Sequence, residues 1–406
     1  MFDLTSQFSP LADAGDPPYF HKNPPHINFD FDQGTPDPAT FPTEDLTRLA
    51  ARVIAEDGPE CLNYMDPRYG YGDIAMGWSP LREQIANLLE ERDGQRPDHD
   101  GIIVTGGSVQ GIALAGNAFL SAGDAAFVEA ATFPFALRYF AQTGATVLPV
   151  TVDEQGMDVD RLADAIEQAA RDGLRPKMVY TIPTFQLPTG TELSLERRHA
   201  LLALADTHDL VILEDNIYAA LRYEGEPLPT LRSLDTEGHV LQSDSFAKTV
   251  APGTRLGWVT GPKDGILGLA KVRQDLGANQ WISKIMTRYL AEGLLPPQVA
   301  RAVDRYRPKR DVTADALTEH CGRWVSYRLP HGGFYFWLEL ADGLDWEQVA
   351  RQMFDRGIAM RPGEMFMGQT AGRSHLRMAF AHMPEDSIRK GLMEFGAVLD
   401  TSAKPS

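Results

Sequence analysis

Ile102-Ile103-Val104-Thr105-Gly106-Gly107-Ser108-Val109-Gln110-Gly111 passes from a short apolar, β-branched run through a glycine-rich turn into the helical run Ile112 to Leu120. Strand, turn and helix follow one another, and the pattern recurs. Apolar runs of the same kind stand at Ala126-Phe127-Val128, Thr146-Val147-Leu148-Pro149-Val150, Met178-Val179-Tyr180-Thr181-Ile182 and Leu210-Val211-Ile212-Leu213. Amphipathic helical segments lie between them, as at 159–170 and 195–207. Runs that are apolar throughout, rather than alternating, suit strands covered on both faces, so the expected class is α/β: a mostly parallel sheet with helices on both sides.

Outward from this centre the pattern changes. Beyond about residue 262 long helical stretches precede two further strands, in 332–340 and 375–380, which reads as a smaller α+β domain. Residues 1 to about 49 are rich in Pro, Asp and aromatics, as in Asp16-Pro17-Pro18-Tyr19 and Gly34-Thr35-Pro36-Asp37-Pro38, and predict turns and extended arm. The expected organisation is an arm contributing to the small domain over 1–49, a large domain over 50–290 and a C-terminal small domain over 291–406. With 406 residues the chain is long enough for this division.

Hydrophobic residues at 43% and charged residues at 23% match a soluble globular protein. A net charge of −18 argues against nucleic-acid binding, which needs a basic face. Cys61 and Cys321 are far apart, with no metal or redox spacing, so free thiols in a reducing compartment and no metal site are expected. The start Met1-Phe2-Asp3-Leu4 lacks a basic and apolar leader, and no run of about 18 apolar residues occurs. A cytoplasmic protein with no membrane partner is the expectation.

Three segments carry chemistry. Ser243-Asp244-Ser245-Phe246-Ala247-Lys248 is followed by Pro252-Gly253-Thr254-Arg255-Leu256-Gly257. A lysine that attacks a carbonyl must spend time unprotonated, and the positive charge of Arg255 or burial lowers its pKa. The turn 105–111 precedes a helix N-terminus, where free NH groups and the helix dipole favour an anion, although an ordinary βα turn reads the same way. It is neither a dinucleotide nor a nucleoside-triphosphate loop. In Leu213-Glu214-Asp215-Asn216-Ile217-Tyr218 a carboxylate leaves the C-terminal end of an apolar strand, the edge at which α/β sheets bind ligands. Asp215 is then either a helix cap or the partner of a pyridine nitrogen, which a carboxylate keeps protonated.

In this order the motifs resemble those of the fold-type I, class I/II aminotransferases that use pyridoxal 5′-phosphate, in the branch of aminoadipate- and kynurenine-type enzymes and MocR effector domains. The resemblance implies that Lys248 holds the cofactor as a Schiff base, that Asp215 pairs with its pyridine nitrogen and that Tyr218 contacts its ring oxygen. Gly107, Ser108 and Val109, with Gln110 nearby, match the family's phosphate loop, and Ser245 and Arg255 match its other phosphate ligands. Phe133, in Ala131-Thr132-Phe133-Pro134, stands where an aromatic ring stacks on the pyridine. Arg377, in His375-Leu376-Arg377-Met378, matches the clamp for a substrate α-carboxylate, with Gly34 beside it; a planar guanidinium suits that bidentate task. Tyr71 resembles the tyrosine that reaches the neighbouring subunit's phosphate, which implies a homodimer with shared sites.

One position departs from the family. Pro183-Thr184-Phe185-Gln186-Leu187-Pro188-Thr189-Gly190 places Leu187 where the family's asparagine donates to the cofactor ring oxygen. Leucine has no donor, and Gln186 is the neighbouring amide able to substitute in part. The expected reaction is transfer of an amino group between an amino acid and a 2-oxo acid. The alternative is elimination, replacement or cyclisation at the β- or γ-carbon in specialised biosynthesis. A cofactor-sensing regulator is disfavoured, because it needs a basic winged-helix domain ahead of motifs that here begin by about residue 28.

Overall fold

The computed structural model describes residues 4–9, 26–64, 71–367 and 375–404, the side chains of 71–73 excepted. A seven-stranded sheet forms its centre, in the order Ile102–Thr105, Gly257–Thr260, Val240–Ser245, Val211–Asp215, Arg175–Thr181, Asp124–Glu129 and Thr146–Val150. Gly257–Thr260 runs antiparallel to both its neighbours, and the other pairings are parallel. The α/β class is therefore the one observed. All five apolar runs are strands of this sheet, and two more, Val240–Ser245 and Gly257–Thr260, complete it. Those two carry Gln242, Ser243, Asp244, Ser245 and Thr260, whose polarity hides the strand pattern from a reading by hydrophobicity.

Register decides where the chemistry falls. Thr105 and Ser245 both pair with Gly257, and Asp215 pairs with Ser243. One carboxyl edge thus presents the turn after Thr105, the carboxylate of Asp215 and the loop that holds Lys248, as the crevice rule for parallel sheets anticipates. The helix after the glycine turn begins at Ser108, earlier than the apolar run from Ile112 suggests, and spans Ser108–Phe119. Gly107 precedes it at φ 98°, a conformation that favours glycine.

A second, antiparallel sheet runs Val325–Tyr327, Tyr335–Leu340, His375–Ala379, Arg361–Pro362. Helices Leu295–Cys321 and Glu385–Thr401 pack along each other beside it. The arm joins this unit: Phe29–Asp30 pairs with Ile358–Ala359, and the Ala379 amide donates to the Phe31 carbonyl at 2.8 Å. Further on, Lys309 Nζ donates to Asp37 Oδ2 at 2.7 Å in a buried pair, which pins the arm on the long helix. The arm is shorter than expected, because helix Thr43–Asp57 starts inside it. Asp16-Pro17-Pro18-Tyr19 lies outside the described residues.

Candidate active site

The carboxyl edge of the large sheet, the arm and the small sheet enclose a cavity of about 510 Å³, ample for a cofactor and a small substrate. Its floor is built from short segments. At one end the Arg255 guanidinium donates to the Gly106 carbonyl at 3.0 Å, and a side chain at Gly107 would meet it at 3.2 Å. Ser108 and Val109 open the helix here, so their amides belong to the first turn, whose NH groups have no intrahelical partner. Guanidinium and amides together form a cradle for an anion. Ser245 lines the same end, with its hydroxyl donating to the Leu256 carbonyl and accepting from the Ala247 amide. Gln110 does not line the cavity. It accepts from the Gly106 amide at 2.6 Å and donates to Asp275, so it fastens the turn from behind, a correction to its expected place at the phosphate.

Asp215 is buried at the strand end. Tyr180 donates to its Oδ2 at 2.9 Å, while Oδ1 has no hydrogen-bond partner among the described residues. Burial, opposed chiefly by the Tyr180 hydrogen bond, pushes this carboxyl up to about 7. A buried acceptor without a partner is costly unless something occupies the space before it. Lys248 Nζ donates to the Gly34 carbonyl at 2.7 Å, across 214 residues of sequence. Burial lowers its pKa, and Arg377 and Arg255 push the same way against Tyr335. Phe133 and Leu187 line the cavity, and Tyr218 stands with its hydroxyl 3.0 Å from that of Tyr335.

Gln186 does not take over from the missing amide. Its Nε2 donates to Glu129 Oε2 and to the Ala131 carbonyl, and its Oε1 accepts from Thr189, so the whole amide serves the loop beneath. Glu129, buried and raised by that burial, organises this region by also accepting from Thr181 and the Ile182 amide.

Arg377 projects from strand His375–Ala379, opposite Arg361 on the neighbouring strand. Its Nη2 donates to Asp32 Oδ1 at 2.8 Å and to the Asp32 carbonyl, and Arg361 holds the same carboxylate. Arg377 Nε, buried, has no partner among the described residues. The sequence does not single out Asp32, Arg361, Tyr180 or Tyr335. Each meets the site through a contact remote in the chain, which the local sequence does not signal. Tyr71 opens helix Tyr71–Met76, but its side chain is outside the described residues.

A carboxylate oxygen without a partner, an anion cradle and a half-buried amine fit pyridoxal phosphate, which carries a ring nitrogen, a phosphate and an aldehyde. The profile described as "Aminotransferase class I and II" matches residues 39–395. The chain belongs to this family. An aromatic-amino-acid aminotransferase of Thermococcus litoralis is 33% identical over 373 residues, covering 91% of this chain and 88% of that one. The crystal structure of Pyrococcus horikoshii kynurenine aminotransferase, in complex with PMP, superposes with a TM-score of 0.90 at 30% identity, covering 99% of both chains. That of the alpha-aminoadipate aminotransferase of Thermus thermophilus, complexed with N-(5′-phosphopyridoxyl)-L-leucine, gives 0.87 at 28%, covering 98% and 99%. The present aminotransferase is therefore a pyridoxal-phosphate enzyme that moves an amino group between an amino acid and a 2-oxo acid. Among its described residues no helix is long and apolar enough to cross a membrane, and no cluster of three or more His, Cys, Asp or Glu is placed for a metal.

Proposed function

We propose that amino transfer is carried out by Lys248, Asp215, Tyr218 and Arg377. The observation that supports this most is that Asp215 Oδ1 and Arg377 Nε, one buried acceptor and one buried donor without partners among the described residues, belong to residues that line one cavity with Lys248. Pyridoxal phosphate, when bound, supplies an electron sink that makes the substrate Cα–H bond acidic. Asp215 Oδ1 would face the ring nitrogen and keep it protonated. Gly107, Ser108, Val109, Ser245 and Arg255 would hold the phosphate, and Phe133 would lie on the ring.

Arg377 would take the substrate α-carboxylate through its free Nε edge, with Gly34 beside it. Lys248, its basicity released by burial, would hold the cofactor as a Schiff base and then carry the proton from the substrate Cα. The relatives described above are aminotransferases, which favours amino transfer over the elimination, replacement or cyclisation that Leu187 leaves open.

We read the enzyme as cytoplasmic, in keeping with free thiols at Cys61 and Cys321, and as a homodimer with Tyr71 reaching the partner's site, the latter carried from the family resemblance. The domains are a large one over 50–290 and a small one over 291–406 with the arm 1–49, supported by two separate sheets. Both cuts fall within helices, so Pro42 and Glu292 are the working limits. The test is to screen amino-acid donors with the purified holoenzyme in the absence of acceptor. Accumulation of the pyridoxamine form is expected. Products formed while the cofactor stays in its aldehyde state would support the elimination reading instead.

A further inference from the structure

Tyr335 opens strand Tyr335–Leu340 and is buried, yet the family motifs give it no role. Its ring lies under the Arg377 guanidinium, 4.8 Å from Cζ to centroid, and edge-on to Tyr218 at 5.6 Å. The arm leaves room for its hydroxyl because residue 34 is glycine: a Cβ there would collide with the Tyr335 oxygen. Two acceptors are in reach. The Gly34 carbonyl is 3.4 Å away and already takes Lys248 Nζ at 2.7 Å, whereas the Tyr218 hydroxyl is at 3.0 Å. On the opposing wall Leu187 offers no donor and Gln186 is fully engaged.

We propose that Tyr335 is a positioning residue of the amino-transfer reaction: its phenol donates to Tyr218, and so orients and strengthens the Tyr218 hydroxyl as donor to the cofactor ring oxygen, compensating for the amide absent at 187. This rests on the placement of Tyr218 proposed above. The proton order follows from the number of protons. Each phenol has one to donate, and both oxygens can accept. With the Tyr218 proton directed to the cofactor ring oxygen, the 3.0 Å contact between the two hydroxyls is made by the Tyr335 proton, with Tyr218 accepting. Hydrogen bonds in such a chain strengthen one another at low dielectric.

The experiment is a pH titration of the visible absorption of the holoenzyme for wild type, Tyr335→Phe, Tyr218→Phe and the double variant Tyr335→Phe/Leu187→Asn, with circular dichroism to verify folding. A donor to the ring oxygen lowers the pKa of the lysine-bound chromophore, so Tyr335→Phe is expected to raise the midpoint by about half a unit to one unit. Adding Leu187→Asn should bring it back, because it restores a donor to the ring oxygen. A midpoint unmoved by Tyr335→Phe but moved by Tyr218→Phe overturns this inference alone. If Tyr218→Phe leaves it unmoved too, the placement of Tyr218 fails and the inference falls with it.

Discussion

The two ends of the cavity are built differently. The end proposed to receive the cofactor comes from segments close to strand termini of one sheet: 105–109, 215–218 and 245–255. Each is short, and neighbouring ladders hold it. The end proposed to receive the substrate is assembled from the arm and two strands of the other sheet, with Asp32, Arg361 and Arg377 meeting across more than 320 residues. Its charges are already matched to one another, because Asp32 occupies part of the Arg377 fork. The contrast teaches that the cofactor end can be preformed by local register, whereas the substrate end depends on docking of the arm. Substitutions at the two ends should therefore fail in different ways.

The sharpest break is at the cofactor end. Lys248→Ala is expected to lose turnover by at least about a thousandfold, in the range of a missing acid–base group, while still binding pyridoxal phosphate. Borohydride reduction followed by peptide mapping should place the cofactor on Lys248 in wild type; labelling at Lys177 or Lys263 would overturn the assignment.

Asp215 tests whether that end is built for a cation. With a folded pKa of about 7 against 3.8 unfolded, its ionisation works against the folded apoenzyme. The penalty is absent below about pH 4, grows as the pH rises through the window, and is complete above pH 7. Three pH units at about 1.4 kcal/mol each give a penalty on the order of 4 kcal/mol. Apo Asp215→Asn should therefore melt above apo wild type at pH 8, with the gap closing towards pH 5. Cofactor should shrink the gap at pH 8, because a protonated ring nitrogen compensates the charge in wild type. A constant gap at all pH values would show that Asp215 does not titrate in this window.

At the substrate end the expected effect is smaller. Arg377→Ala should raise KM for amino-acid donors by roughly 10- to 100-fold, the worth of a charged hydrogen-bonded contact, with little change in the bound cofactor's spectrum. A spectrum that changes with KM would mean that the two ends are not separable. The smallest effect concerns the wall between them. Leu187→Asn alone should lower the midpoint of the visible titration by about one pH unit, since one net hydrogen bond is worth about 1 kcal/mol. Superimposable curves would mean that Leu187 does not face the ring oxygen.

By itself the sequence determined the α/β class, five strands of the large sheet and the helices between them, because burial on both faces of a parallel sheet imposes a local apolar pattern. It also placed Asp215, Tyr218 and the glycine turn, since each sits beside a strand end that the pattern marks, and it singled out Lys248 by its spacing from Ser245 and Arg255. The polar strands Val240–Ser245 and Gly257–Thr260 lay beyond that pattern, as polar side chains such as Gln242, which donates to Glu214, and Asp244, which accepts from Arg92, find buried partners that composition does not reveal. Tertiary structure alone decided that Gln186 turns to Glu129, that Gln110 fastens its turn from behind, and that Asp32 shares its carboxylate between Arg361 and Arg377. It alone also brought Tyr335 to Tyr218, 117 residues away in sequence. The physical reason is common to all of these. Where a polar side chain finds its partner depends on which backbones approach across the fold, and local periodicity carries no information about that approach.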